Sequence, residues 1–146
     1  MKGLQAAIAM AALCVAGAAA QAPLTVVSKG NMSGHQNARQ VVVRTAAEWK
    51  ALWNAHSATE KMPAVDFGSS MVVGVFLGTK PSDGYAVEIV AVRPTDKEVV
   101  VEFVQKQPGR GTMAAQILTE PFSLVSVPKH TGTVRFVQVP DTGAAR

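Results

Sequence analysis

Met71-Val72-Val73-Gly74-Val75-Phe76-Leu77 decides how the chain is read. Six of its seven residues are apolar, most of them β-branched or aromatic, and only Gly74 interrupts the run. Seven residues are too few for an ordinary helix and suit a strand. A strand apolar at nearly every position, rather than at every second one, is a buried strand.

Downstream of it, short apolar runs alternate with turn chemistry. Gly78-Thr79-Lys80-Pro81-Ser82-Asp83-Gly84 is a loop, and Tyr85 to Val92 is the next strand, with Tyr85, Val87 and Ile89 on one face. Pro94 to Lys97 closes a hairpin onto Glu98–Lys106, where Val99, Val101 and Phe103 share a side. Gln107 to Gly111 is a second loop, with Pro108-Gly109-Arg110-Gly111 at its tip. The sequence then predicts a strand over Met113–Leu118, a break at Pro121 and strands over Phe122–Val127 and Val134–Val139. The turn Pro128 to Gly132 lies between the last two.

Upstream, Leu24–Val27 is a short apolar run, Lys29–Asn37 a polar loop or hairpin connection, and Val41–Val43 a strand. Thr45-Ala46-Ala47-Glu48 has the form of a capping box, with Thr at the N-cap and Glu at the third helical position. Trp49, Leu52 and Trp53 then follow at i, i+3 and i+4, which predicts a helix over Ala46–His56 with the indoles and the leucine on one face. Beside Leu52 the indoles read as core; stacking on a small ligand is the alternative. Ser57–Asp66 is a polar stretch. Many short strands about ten residues apart, with one amphipathic helix near the start, predict an α+β domain of mostly antiparallel β, a sandwich or a partly open barrel. Helices do not alternate with strands, which excludes a doubly wound fold.

The first 20 residues stand apart. Sixteen are apolar and Lys2 is the only charge. A short basic start, the Leu4–Val15 run and Ala18-Ala19-Ala20 form a secretory signal, cut between Ala20 and Gln21. A cut after Ala22 would place Pro23 first, which is unfavourable. The run is shorter than the roughly 20 residues a membrane-spanning helix needs. Leu13 before Cys14 is not the small residue a lipoprotein signal wants, so anchoring through Cys14 is not expected. Cys14 is the single cysteine, so the mature chain has neither a disulfide nor a thiol. The expected organisation is a signal over 1–20, an N-terminal strand and loop over 21–40, a domain over 41–140 and a flexible tail over 141–146. The destination is the periplasm or the exterior of a bacterium.

The net charge of +4 is small and spread along the chain, which does not indicate a nucleic-acid partner. Lys80, Lys106, Arg110, Lys129 and Arg135 lack interleaved aromatics and read as a solvated face. His35, His56 and His130 have no His or Cys neighbour within five residues, so no metal motif is present and they read as exposed polar residues. No nucleophile elbow occurs. Gly78–Gly84 lacks the Gly-Lys-Ser/Thr ending of a phosphate loop. No catalytic residue, metal or cofactor is assigned. The Pro- and Gly-bearing loops 80–85 and 107–112 present rigid backbone with little bulk, which suits docking on another protein.

Val41 to Trp49, Val65-Asp66-Phe67 leading into Met71-Val72-Val73, Gly78 to Tyr85, and Thr119-Glu120-Pro121-Phe122 occur in an order that resembles the PrcB C-terminal domain family, over about Val41 to Val139. That family is named for an accessory subunit of a secreted subtilisin-like protease complex. The resemblance implies an exported, non-catalytic protein that binds or stabilises a secreted or envelope protease. A looser similarity links Lys80-Pro81-Ser82-Asp83-Gly84-Tyr85 to the Asn-Pro-Thr-Thr-Gly-Tyr loop of chagasin-type cysteine protease inhibitors. Those are immunoglobulin-like sandwiches that insert three loops into a protease cleft. On that likeness Pro108–Gly111 and Glu120-Pro121-Phe122 would be the other two. The binding residues expected are therefore Lys80, Pro81, Asp83, Gly84, Tyr85, Pro108, Gly109, Arg110, Gly111, Pro121 and Phe122. The oligomeric state stays open.

Overall fold

The computed structural model describes residues 20–142. Residues 1–19, where the expected signal and Cys14 fall, and residues 143–146 of the expected tail lie outside the described residues. Seven strands and one helix follow in the order β1 (Thr25–Gly30), β2 (Arg39–Val43), α1 (Ala46–His56), β3 (Ser70–Phe76), β4 (Ala86–Pro94), β5 (Glu98–Lys106), β6 (Phe122–Pro128) and β7 (Thr133–Gln138). They form a four-stranded sheet, β1-β6-β3-β2, and a three-stranded sheet, β4-β5-β7. The architecture is the mostly antiparallel α+β sandwich that the strand spacing predicts. One pair, β5 with β7, is parallel.

Strand β3 explains the layering. Its side chains alternate between two cores. Met71, Val73 and Val75, with Val125 and Val127 of β6, face the second sheet, where Val87, Ile89, Val99, Val101 and Phe103 meet them. Val72 and Phe76, with Phe122 and Leu124 of β6, face the other way, against Val41, Val43, Trp49, Leu52 and Trp53. The molecule thus has three layers, helix, sheet and sheet. The middle sheet is apolar on both faces, which is why Met71–Leu77 shows no polar alternation. Gly74 is required by this packing. A Cβ there would lie 2.4 Å from Leu124 Cδ2 and 3.0 Å from Val41 Cγ2.

The helix has the predicted bounds. Thr45 Oγ1 accepts from the Glu48 N–H at 3.2 Å. Glu48 Oε2 accepts from the Arg44 N–H at 3.1 Å, one residue before the N-cap that a strict capping box would engage. Both indoles are buried, and each N–H donates to the 57–66 loop, Trp49 to Pro63 O at 2.9 Å and Trp53 to Glu60 O at 3.0 Å. The loop therefore lies over the tryptophans and they are core.

Three readings need correction. Lys29 belongs to a strand, since β1 runs to Gly30 beside β6. Met113–Leu118 is not a strand. β6 already has β1 and β3 as neighbours and β5 has β4 and β7, so neither offers a free edge to it. The segment lies exposed instead, with Met113 at 99%, and turns where the Ile117 N–H donates to Ala115 O at 2.9 Å. His35 and His56 are buried, not exposed.

Introducing one methyl at the Gly74 crossing tests this packing. Gly74→Ala is expected to lower stability by about 1–3 kcal/mol through overpacking. Calorimetry should show a fall of several degrees in Tm, part of it recovered in Gly74→Ala/Leu124→Val. An unchanged Tm would mean that the layers are not closed around β3.

Candidate functional site

The strand directions give the sandwich two unlike ends. At one end are the start of β3, β5 and β7 and the finish of β2, β4 and β6, and this end is stitched together by hydrogen bonds. Arg44 donates to His130 O at 3.3 Å and Gly132 O at 2.8 Å. His130 Nε2 donates to Thr95 O at 2.7 Å, and Lys129 Nζ to Phe67 O at 3.1 Å. The opposite end carries the long connections 31–38, 77–85 and 107–121. All three predicted loops are there.

These loops touch one another. Lys80 and Thr119 form an antiparallel bridge, and Met32 and Glu120 a parallel one. The Asp83 N–H donates to Ala115 O at 2.9 Å, and buried Thr119 donates its hydroxyl to Ser82 O at 3.0 Å. Gly84 has φ +92 and sits against Pro108, whose Cγ would be 2.9 Å from a Cβ at that position. Any side chain there would push the two loops apart. Lys80 Nζ lies 5.6 Å from the Tyr85 ring centre, a cation–π contact.

Pro81, Asp83, Gly84, Gly109, Arg110 and Gly111 are exposed, and Lys80, Tyr85 and Pro108 half-buried. Pro121 and Phe122 are buried, with the Phe122 ring against Phe76 and His56. A three-loop wedge would therefore have two loops to present. Four large apolar side chains stand out at this end that sequence reasoning missed: Met32, Met113, Ile117 and Leu118, between 54% and 99% exposed. Reading 113–118 as a strand hid three of them.

Two clefts flank the 77–85 loop. One, of about 480 Å3, lies between the end of β1 and the start of β4 and is lined by Lys29, Asn31, Asp83, Tyr85, Glu88 and Lys106 among others. The other, of about 550 Å3, lies between β2 and β7 and includes Arg39, Gln40, Lys80, Gln105 and Gln138.

Beneath the 31–38 connection is a buried polar cluster. Ser33 Oγ accepts the His35 N–H at 3.1 Å and shares a 2.9 Å bond with His56 Nδ1. His35 Nε2 donates to Leu52 O at 3.3 Å, and the two imidazoles stack with centres 6.4 Å apart. Gly34 permits this, because a Cβ would fall 2.3 Å from Ala55 O. Ser33 and His56 are both buried, with Phe76, Phe122 and Trp53 packed against the His56 ring. The cluster anchors the connection to the helix. That connection in turn holds the loop end, since Gln36 O accepts from Thr79 N and Asn31 O from Glu120 N. Among the described residues no three His, Cys, Asp or Glu side chains converge as a metal site requires, and no helix is long and apolar enough to cross a membrane.

The fold is a β-rich sandwich with, among the described residues, four of its six large exposed apolar side chains, Met32, Met113, Ile117 and Leu118, in the connections of this end; Val26 and Met62 lie elsewhere. Residues 71–128, from β3 to the close of β6, match the model of the PrcB C-terminal family. The match is narrower than the 41–139 span of the resemblance. The family implies association with a protease complex. No curated protein and no solved structure gives a significant match.

Burial holds the pKa of His35 and His56 below the ordinary 6.5; Arg39 lowers His35 further, and His35 lowers His56. As pH falls through 6.5 the unfolded chain binds more protons than the folded one. Their contribution is whole above that value and is lost below it. Urea midpoints should be level from pH 8 to 7 and fall toward pH 5, with a shallower fall in His56→Phe. Equal slopes in both proteins would show that the pair does not carry the acid sensitivity.

Proposed function

We propose that this protein is an exported, non-catalytic protein-binding domain that accompanies a secreted or envelope protease and holds it stable or in place. The observation that carries the reading is the convergence of loops 80–85, 107–112 and 113–118 on one end of the sandwich, with Met32, Met113, Ile117 and Leu118 exposed there. Exposed apolar side chains gathered in one region mark protein contact surfaces. The match of 71–128 to the PrcB C-terminal family points to the class of partner. The amino-terminal signal supplies the compartment, periplasmic or extracellular.

Inhibition through three inserted loops is favoured less, because Phe122 is turned into the core. A small-ligand role centred on the tryptophans is favoured less as well, because both indoles are buried and their N–H groups bond to the chain itself.

Affinity-tagged protein recovered from its own envelope and culture-supernatant fractions is expected to bring down a protease in stoichiometric amount. Met113→Asp/Leu118→Asp should lower that capture by about tenfold or more while Tm stays within a degree or two, as expected of exposed positions. Absence of a reproducible partner across salt conditions would refute the docking reading.

A further inference from the structure

The cleft between β2 and β7 has a composition the other cleft lacks. Its charged lining residues are Arg39 and Lys80, with no carboxylate among them. Neither cation is in an ion pair among the described residues. Across the first cleft, by contrast, Lys29 and Lys106 are answered by Glu88 and Asp141, each at 3.9 Å. Three amides, Gln40, Gln105 and Gln138, complete the polar wall, each able to donate and to accept. Val75, Phe76, Leu77 and Phe103 supply the apolar floor.

The walls are edge strands. β2 is the last strand of one sheet and β7 the last of the other, so each has one side without a strand neighbour. Such an edge pairs readily with an added extended segment. In an extended segment alternate side chains face the same way. We propose that this cleft binds an acidic, extended peptide segment of the partner protein, laid along the β2 edge, its carboxylates meeting Arg39 and Lys80. The proposal rests on the docking reading and narrows it to one groove and one chemistry. Charge complementarity selects the occupant: two cations without counter-ions attract an anionic strand, and a basic or neutral one gains nothing from them. The Lys80 contact with Tyr85 places that cation on the loop between the two clefts, so bound peptide and docking loop share a border.

The test uses the whole protein and two fluorescein-labelled peptides, (Glu-Val)4 and (Gln-Val)4, read by anisotropy. (Glu-Val)4 is expected to bind at least about tenfold more tightly than (Gln-Val)4. Arg39→Gln and Lys80→Gln should each cost several-fold, and Arg39→Glu/Lys80→Glu should abolish binding, with thermal melts showing all variants folded. Raising the salt from about 0.1 to 1 M should weaken it, because the screening length shortens to a few ångströms. No binding of (Glu-Val)4, equal binding of the two peptides, or indifference to charge reversal would overturn the proposal. Capture of the protease is read separately. A partner still captured by Arg39→Glu/Lys80→Glu overturns the cleft and leaves the docking reading standing, whereas no capture by the unaltered protein strikes at the docking reading itself.

Discussion

The β3–β6 pair is the constraint on which the structure depends. These two strands are the inner pair of the four-stranded sheet, and they are registered from Ser70 opposite Pro128 to Phe76 opposite Phe122. Each turns one set of side chains to the helix and the other to the second sheet. Neither core can form without them, and a slip of one residue would exchange the two sets. Gly74 opposite Leu124 fixes how closely the helix-side layer approaches. The family match begins at β3 and closes at β6, and so covers this pair and the β4–β5 hairpin between its strands.

Most of the fold was legible in the sequence because short-range physics governs it. The helix could be read to its last residue from Thr45, Glu48 and the spacing of Trp49, Leu52 and Trp53. Met71–Leu77 could be read as buried because it lacks polar alternation. The Met113–Leu118 expectation failed on a different ground. An apolar run of strand length still needs a partner edge, and edges are allotted by topology, which no local pattern records. The parallel pairing of β5 with β7 was hidden for the same reason.

The site was legible as loops but not as a surface. Pro, Gly and Asp identified 80–85 and 107–111, and the strand directions brought them together. Pro121 and Phe122 looked like loop residues, yet the Leu77 N–H donates to Pro121 O and carries both into the sheet. His56 carried a readable signal, since it continues the 49, 52, 53 face by one more turn. His35 carried none; it is delivered by Gly34, whose missing side chain lets the connection pass against the helix end. Arg39 and Lys80 are 41 positions apart in sequence and share a cleft only because β2 is next to β3.

The pairing of the first strand with the sixth bears on how the chain is made. β1 leaves the ribosome before the other six strands described, but among the described residues its one strand neighbour is β6, with Thr25 opposite Ser126 about a hundred residues later. At about 5–20 residues per second, that is a wait of roughly 5–20 seconds with both edges of β1 bare. The four-stranded sheet of the nascent protein therefore stays unfinished until β6 has been made, an interval in which other machinery can still thread or capture the segment as an unfolded chain.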